Sequence, residues 1–120
     1  MNEPPAYIAA VLARYTELPD TPLHAGTSDH RTARRLFEDN IPLTVVEAGL
    51  LLGSLRRLAR PTGMPPLPPV RSLAYFRPVI DELHASPLPD NYLDYLRLKL
   101  HKASLAIPAN VQKSTFPDDR

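Results

Sequence analysis

Eight arginines fall between positions 31 and 77: Arg31, Arg34, Arg35, Arg56, Arg57, Arg60, Arg71 and Arg77. Only three acids, Glu38, Asp39 and Glu47, lie among them, a local net charge of +5 in a chain whose total is +1. No lysine occurs in that stretch. The choice matters, because a guanidinium presents a planar fork that meets phosphate oxygens two at a time, whereas lysine offers a point charge. These eight side chains are therefore the candidate nucleic-acid contacts. The same residues also suit solvated helix faces and intramolecular ion pairs, and the near-neutral total charge favours that second use.

No other constellation has the spacing of a reactive site. The four glycines, at positions 26, 49, 53 and 63, are too scattered for a phosphate-cradling loop. His24, His30, His84 and His101 lack the paired spacing of metal ligands, and no cysteine is present to supply a thiolate or a disulfide. Tyr92 and Tyr95 lie three apart, as paired tyrosine nucleophiles do in enzymes that nick single-stranded DNA. Those enzymes also need a histidine-flanked metal motif on a strand, and its absence makes packing the expected role of both tyrosines. Asp90 reads as a helix cap, and Asp81, Glu82 and Asp94 read as solvent-facing. The expectation is a protein that is not an enzyme and needs no cofactor and no metal.

The elements that must position the arginines are helical. Thr44 to Arg60, TVVEAGLLLGSLRRLAR, is apolar on nearly every side before it turns basic, and a helix with no wet side is a buried helix. Thr44 and Glu47 have the spacing of a capping box. Gly49 and Gly53, four apart on that helix, each cost about 1 kcal/mol relative to alanine, which predicts close packing by a neighbouring helix of the same chain or by a second subunit. Before it, Pro4 and Pro5 open a helix with Tyr7, Ile8, Val11, Leu12, Tyr15 and Leu18 on one side. Thr27 or Ser28 caps a second helix, with Asp29 in its first turn and Ala33, Leu36 and Phe37 inward. Arg31, Arg34 and Arg35 lie on its wet side, and Asp39-Asn40 ends it. The helix–turn–helix spacing that results is shared by every αα-hairpin. A DNA-reading role for the Thr44 helix is excluded, because its N-terminal residues are Val45, Val46 and Ala48.

Pro61 to Pro69 holds five prolines in nine residues. It suits polyproline II and reads as a stiff connector or as a ligand for a proline-reading domain. Ser72 caps the run that follows to His84, which either kinks at Pro78 or divides there. A last helix capped by Asp90 carries Tyr92, Leu93, Leu96 and Leu100 inward and a basic end of Arg97, Lys99, His101 and Lys102. No period-two run occurs. The expected fold is all-α: a compact bundle of about five helices over residues 1–103, with a flexible tail over 104–120. No charged leader precedes an apolar run, and the longest apolar stretch is far below the ~20 residues of a membrane span. A cytoplasmic protein with no membrane contact is expected.

Three stretches taken together carry a resemblance: Tyr15 to Pro22 (YTELPDTP), Ile41-Pro-Leu with Val46 to Leu52 (VEAGLLL), and Val70 to Leu83 (VRSLAYFRPVIDEL). They resemble small uncharacterised helical proteins encoded on bacterial mobile elements and, more loosely, the helical C-terminal regions of DnaD-like replication-initiation proteins. The resemblance implies a setting in DNA replication or transposition. Two functions follow as expectations. One is an accessory DNA-binding protein of a mobile element, with the eight arginines on phosphates. The other is an interaction module that docks on a larger replication, transposition or recombination protein, or on a second copy, without touching DNA.

Overall fold

The computed structural model describes residues 3–59, 63–65 and 67–105. Among them are five α-helices, one 3-10 turn and no strand, so the fold is all-α as the sequence implies. The helices are α1 (Pro4–Thr16), α2 (Thr27–Glu38), α3 (Leu43–Leu58), α4 (Arg77–His84) and α5 (Tyr92–Leu105), with the 3-10 turn at Leu73–Phe76 between α3 and α4. None of them is long and apolar enough to cross a membrane.

Helix α3 is the hub: α1, α4, α5 and the 3-10 turn all pack on it. No residue from Val45 to Leu55 is exposed, which is the burial that its composition demands. Val46, Ala48 and Leu50 are sealed in the core, while Leu51, Leu52, Leu55 and Leu58 remain partly accessible. Its two glycines face the same chain. A Cβ at Gly49 would stand 2.9 Å from the Ile80 Cα of α4, and one at Gly53 would stand 2.7 Å from the Phe76 ring. The neighbour that the glycine pair calls for is thus α4 with its preceding turn, and no second subunit is needed there. Pro78 lies in the first turn of α4, so the run from Leu73 to His84 divides into two pieces instead of kinking.

Helix α2 packs on α1 and on the 3-10 turn. It ends in a Schellman motif: the Asn40 N–H bonds to the Phe37 carbonyl, the Ile41 N–H bonds to the Leu36 carbonyl, and Asn40 has φ +59°. Ile41 and Leu36 supply the buried apolar contact of that motif. The core between α1 and the centre is aromatic, with Tyr7 edge-on to Phe37 (centroids 5.3 Å apart) and Tyr15 edge-on to Phe76 (6.2 Å).

Helix α1 opens at Pro4 as expected, while the capping contacts of the later helices differ from the sequence expectation. Helix α3 begins two residues earlier, with Pro42 in place of Thr44 at the cap, and Glu47 pairs with Arg14 of α1 and Arg97 of α5 instead of closing a capping box. Helix α2 is capped by Gly26, whose N–H bonds to the Asp29 carboxylate at 2.9 Å, and not by Thr27 or Ser28. Ser72 stands at the cap of the 3-10 turn but makes no side-chain cap bond, and the first N–H of the turn, that of Leu73, is held by Asp29 at 2.9 Å. Helix α5 starts at Tyr92, after Asn91 in the left-handed region, and not directly after Asp90. It runs to Leu105, two residues into the expected tail. The rest of that tail, like Arg60 to Thr62 and Pro66 of the connector, lies outside the described residues.

Candidate nucleic-acid interface

The eight arginines separate into two sets. Arg56, Arg57 and Arg77 close contacts within the bundle. Arg57 is the most enclosed, its side chain 9% exposed. It donates to the Asp20 carboxylate at 2.6 Å, the Pro68 carbonyl at 2.7 Å and the Tyr75 hydroxyl at 3.2 Å. Its guanidinium also lies over the Tyr75 ring, 5.3 Å from the centroid. Burial opposes its charge, but the bonds to Tyr75 and Asp20 outweigh burial and hold it protonated more firmly than in water. With the Val70 N–H bonded to the Asp20 carbonyl, this cluster pins the connector to the α1–α2 loop. Asp20 can accept both bonds because it sits at φ +63°, a conformation that aspartate tolerates.

Arg77 bridges α2 and α4 through Asp39 and Asp81, both at 2.8 Å. Arg56 makes a two-pronged pair with Glu82 of α4, at 3.0 and 2.8 Å. The hydrogen bond from Arg56 is the main cause of a lowered Glu82 pKa. Both partners are about half exposed, so solvent screens this pair and it adds little to stability. At the end of α3, Arg56 and Arg57 thus point into intramolecular pairs, and Arg60 lies outside the described residues.

Arg31, Arg34, Arg35 and Arg71 form the second set. All four are exposed, and among the described residues none has an acid within 4.0 Å. At 100° per residue, Arg31, Arg34 and Arg35 occupy an arc of about 100° on α2 and rise about 6 Å. The arc faces away from Asp29, Ala33 and Leu36, the buried residues that hold the helix down. Glu38 shares that face one turn on, without bridging to any of the three. Arg71 is two residues before Leu73, whose N–H is held by Asp29 in the first turn of α2. That bond holds the segment carrying Arg71 against the first turn of α2, on the side of Asp29 and not on the arc of the trio.

Two features escape the sequence reading. Tyr95 is not a packing residue: it is 55% exposed on the outer side of α5. The second is a cleft of about 320 Å³ over α3 and between α1 and α5, at the lower end of the range of ligand pockets, about 300–1,000 Å³. Leu18, Leu50, Leu51 and Leu100 form its apolar lining, and Arg14 and Arg97 converge on Glu47 at 2.7 and 3.4 Å. The spacing of Glu47 to Thr44 is that of a capping box, and no local signal distinguishes that from a bridge to α1 and α5. Among the described residues no group of three histidines, aspartates or glutamates is placed to hold a metal ion. No family model, curated protein or solved structure matches the chain.

Proposed function

We propose that the chain is an accessory DNA-binding protein of a mobile genetic element, acting without catalysis in replication or transposition, and that α2 is its DNA-contacting element. The observation that carries the reading is the exposed trio Arg31, Arg34 and Arg35, three guanidiniums within five residues and free of acidic partners among the described residues. Other arginines of the same stretch have such partners. Guanidiniums on an exposed helix face meet phosphate oxygens without reading sequence, so the contact is to the phosphate backbone and tolerant of sequence.

Fluorescence anisotropy with a labelled duplex tests this across a range of salt concentrations. Each phosphate contact contributes a slope of about −0.9 in log affinity against log salt. The parent protein is expected to bind near 50 mM salt, a low-salt regime, and the triple variant Arg31→Gln/Arg34→Gln/Arg35→Gln to lose roughly two to three units of slope. Arg56→Gln, which breaks only the exposed pair with Glu82, is expected to leave the slope unchanged. Absence of salt-sensitive binding by the parent, or a triple variant that binds as well, overturns the reading.

The second reading, an interaction module that docks on a larger replication or recombination protein without touching DNA, is favoured by the cleft between α1 and α5. Its apolar floor and two-sided rim have the form of a groove that takes a helix. Retained pull-down of a neighbouring gene product by the triple arginine variant, and its loss in Leu51→Glu, would support that alternative.

A further inference from the structure

We infer that the outer face of α5 is a site for single-stranded nucleic acid, in which an unpaired base stacks on Tyr95 and Lys99 and Lys102 hold the adjoining phosphates. The inference rests on the nucleic-acid reading and adds to it a strand type and a second surface, since α5 packs on α3 and α2 packs on α1 and the 3-10 turn.

Four observations support it. Tyr95 is 55% exposed, yet its ring is held in place: Tyr92 stacks beside it with centroids 6.2 Å apart and ring planes 18° from parallel. The Lys99 ammonium lies 5.9 Å from the Tyr95 centroid, on a flexible stem that can move to a phosphate when a base takes its place. Tyr95, Lys99 and Lys102 fall at helical spacings of four and seven. They form one stripe about 10 Å long. The inward residues Leu96 and Leu100 point elsewhere, so nothing in α5 needs this stripe for packing.

The charges select the partner. Along α5, Arg97, Lys99 and Lys102 stand against the single acid Asp94, which bonds to Arg97 at 3.2 Å. The two lysines of the stripe have no acid within 4.0 Å among the described residues. A cationic stripe that begins at a fixed, exposed aromatic ring complements a polyanion that carries planar groups. A duplex hides its base faces in the stack, whereas a single strand presents them, and stacking on aromatic side chains is the sequence-tolerant way that single strands are held. Leu98 and Leu105, 52% and 71% exposed beside the stripe, add apolar surface for the edge of a base or a sugar.

The test compares three probes on the full chain: a labelled oligothymidylate of about twelve nucleotides, an abasic deoxyribose-phosphate strand of equal length, and a duplex. The oligothymidylate is expected to bind more tightly than the abasic strand. Tyr95→Ala should weaken that binding by about 5- to 100-fold without changing its salt slope, and Tyr95→Phe should retain it. Lys99→Gln/Lys102→Gln should reduce the slope by about 1.4, from about 0.7 per contact on a single strand. Because Tyr95 is exposed, an unchanged melting temperature serves as the folding control for Tyr95→Ala. Equal binding of the abasic strand, or no effect of Tyr95→Ala, overturns the inference. So does binding to phosphatidylserine vesicles in place of the oligonucleotide, or self-association through α5. Failure of the α2 reading is seen separately, in duplex affinity that survives the triple arginine substitution while Tyr95→Ala still weakens the oligothymidylate.

Discussion

Gly49→Ala sets two effects of known sign against each other. Alanine in a helix interior is favoured over glycine by about 1 kcal/mol, so on α3 alone the substitution would stabilise. The obstacle is the backbone of α4. The new Cβ would stand 2.9 Å from the Ile80 Cα and 3.1 Å from the Ile80 N, where carbon atoms prefer about 3.5–4.0 Å. A backbone cannot rotate out of the way as a side chain can, so α4 must withdraw locally by about half an ångström to one ångström. Ile80 and Phe76 are both fully buried, and withdrawal loosens their contacts as well. Overpacking of this kind costs about 1–3 kcal/mol, with the lost contacts in addition. The net expectation is a destabilisation of about 1–2 kcal/mol, or a melting temperature lower by about 4–8 °C in a domain of this size. Gly53→Ala meets only the edge of the Phe76 ring, which can tilt, and is expected to cost less. Reversible thermal denaturation followed by far-UV circular dichroism measures both. If Gly49→Ala melts at or above the parent temperature, helix propensity wins and the spacing of α3 and α4 is not set by this glycine.

Two further expectations concern buried polar groups. Asp29 holds the N–H of Gly26 and the N–H of Leu73 with its two carboxylate oxygens; Asp29→Asn turns one acceptor into a donor that faces an N–H, and should cost about 2–3 kcal/mol in urea denaturation. A variant within a few tenths of a kcal/mol of the parent would show that Asp29 does not tie α2 to the 3-10 turn. The Tyr7 hydroxyl donates to the Ile41 carbonyl at 2.7 Å, whereas the buried Tyr15 hydroxyl has no partner among the described residues. Tyr7→Phe should therefore cost about 1 kcal/mol and Tyr15→Phe be neutral or stabilising; the reverse order would refute the assignment. Burial raises both phenols from 10.0 to about 12, so folding favours their neutral form; that stability is intact below pH 10 and lost as pH climbs through 10 to 12, where late tyrosinate absorbance should accompany unfolding.

What was legible in the sequence was what is decided locally. Val45 to Leu55 leaves no side for water, and the helix is buried. Asn40 suits the left-handed residue that closes α2, and Pro78 suits the opening turn of α4. The glycine pair marks a close approach, and Ile80 and Phe76 fill it. What was not legible is decided across the chain. Arg57 and Arg35 are equally basic in sequence, but Asp20 lies 37 positions from the first and takes its charge. Arg77 finds Asp39 across 38 positions, and Arg56 finds Glu82 across 26. Glu47 satisfies a capping pattern with Thr44 and is still won by Arg97, 50 positions away. Two ion pairs within a largely apolar groove outweigh one cap bond that water can replace.

The same physics explains why charge is left over on α2 and not elsewhere. Arg56, Arg57 and Arg77 sit at helix ends or next to the connector, where segments remote in sequence cross and bring acids within reach. Arg31, Arg34 and Arg35 run from the second turn to the last turn of a helix that is held only on its opposite side, by Asp29, Ala33, Leu36 and half-buried Phe37. Among the described residues no acidic segment passes over their face. Like charges three and four residues apart destabilise a helix by a few tenths of a kcal/mol per pair, and Glu38, one turn away but unbridged, offsets only part of that. A polyanion laid along this face would remove the repulsion and add its own attraction. A polyanion competing for Arg57 would instead have to break three hydrogen bonds around a guanidinium that is nine-tenths buried. The arginines that hold the bundle together are thus the ones least able to serve a ligand, and those with no structural duty are the ones presented to solvent.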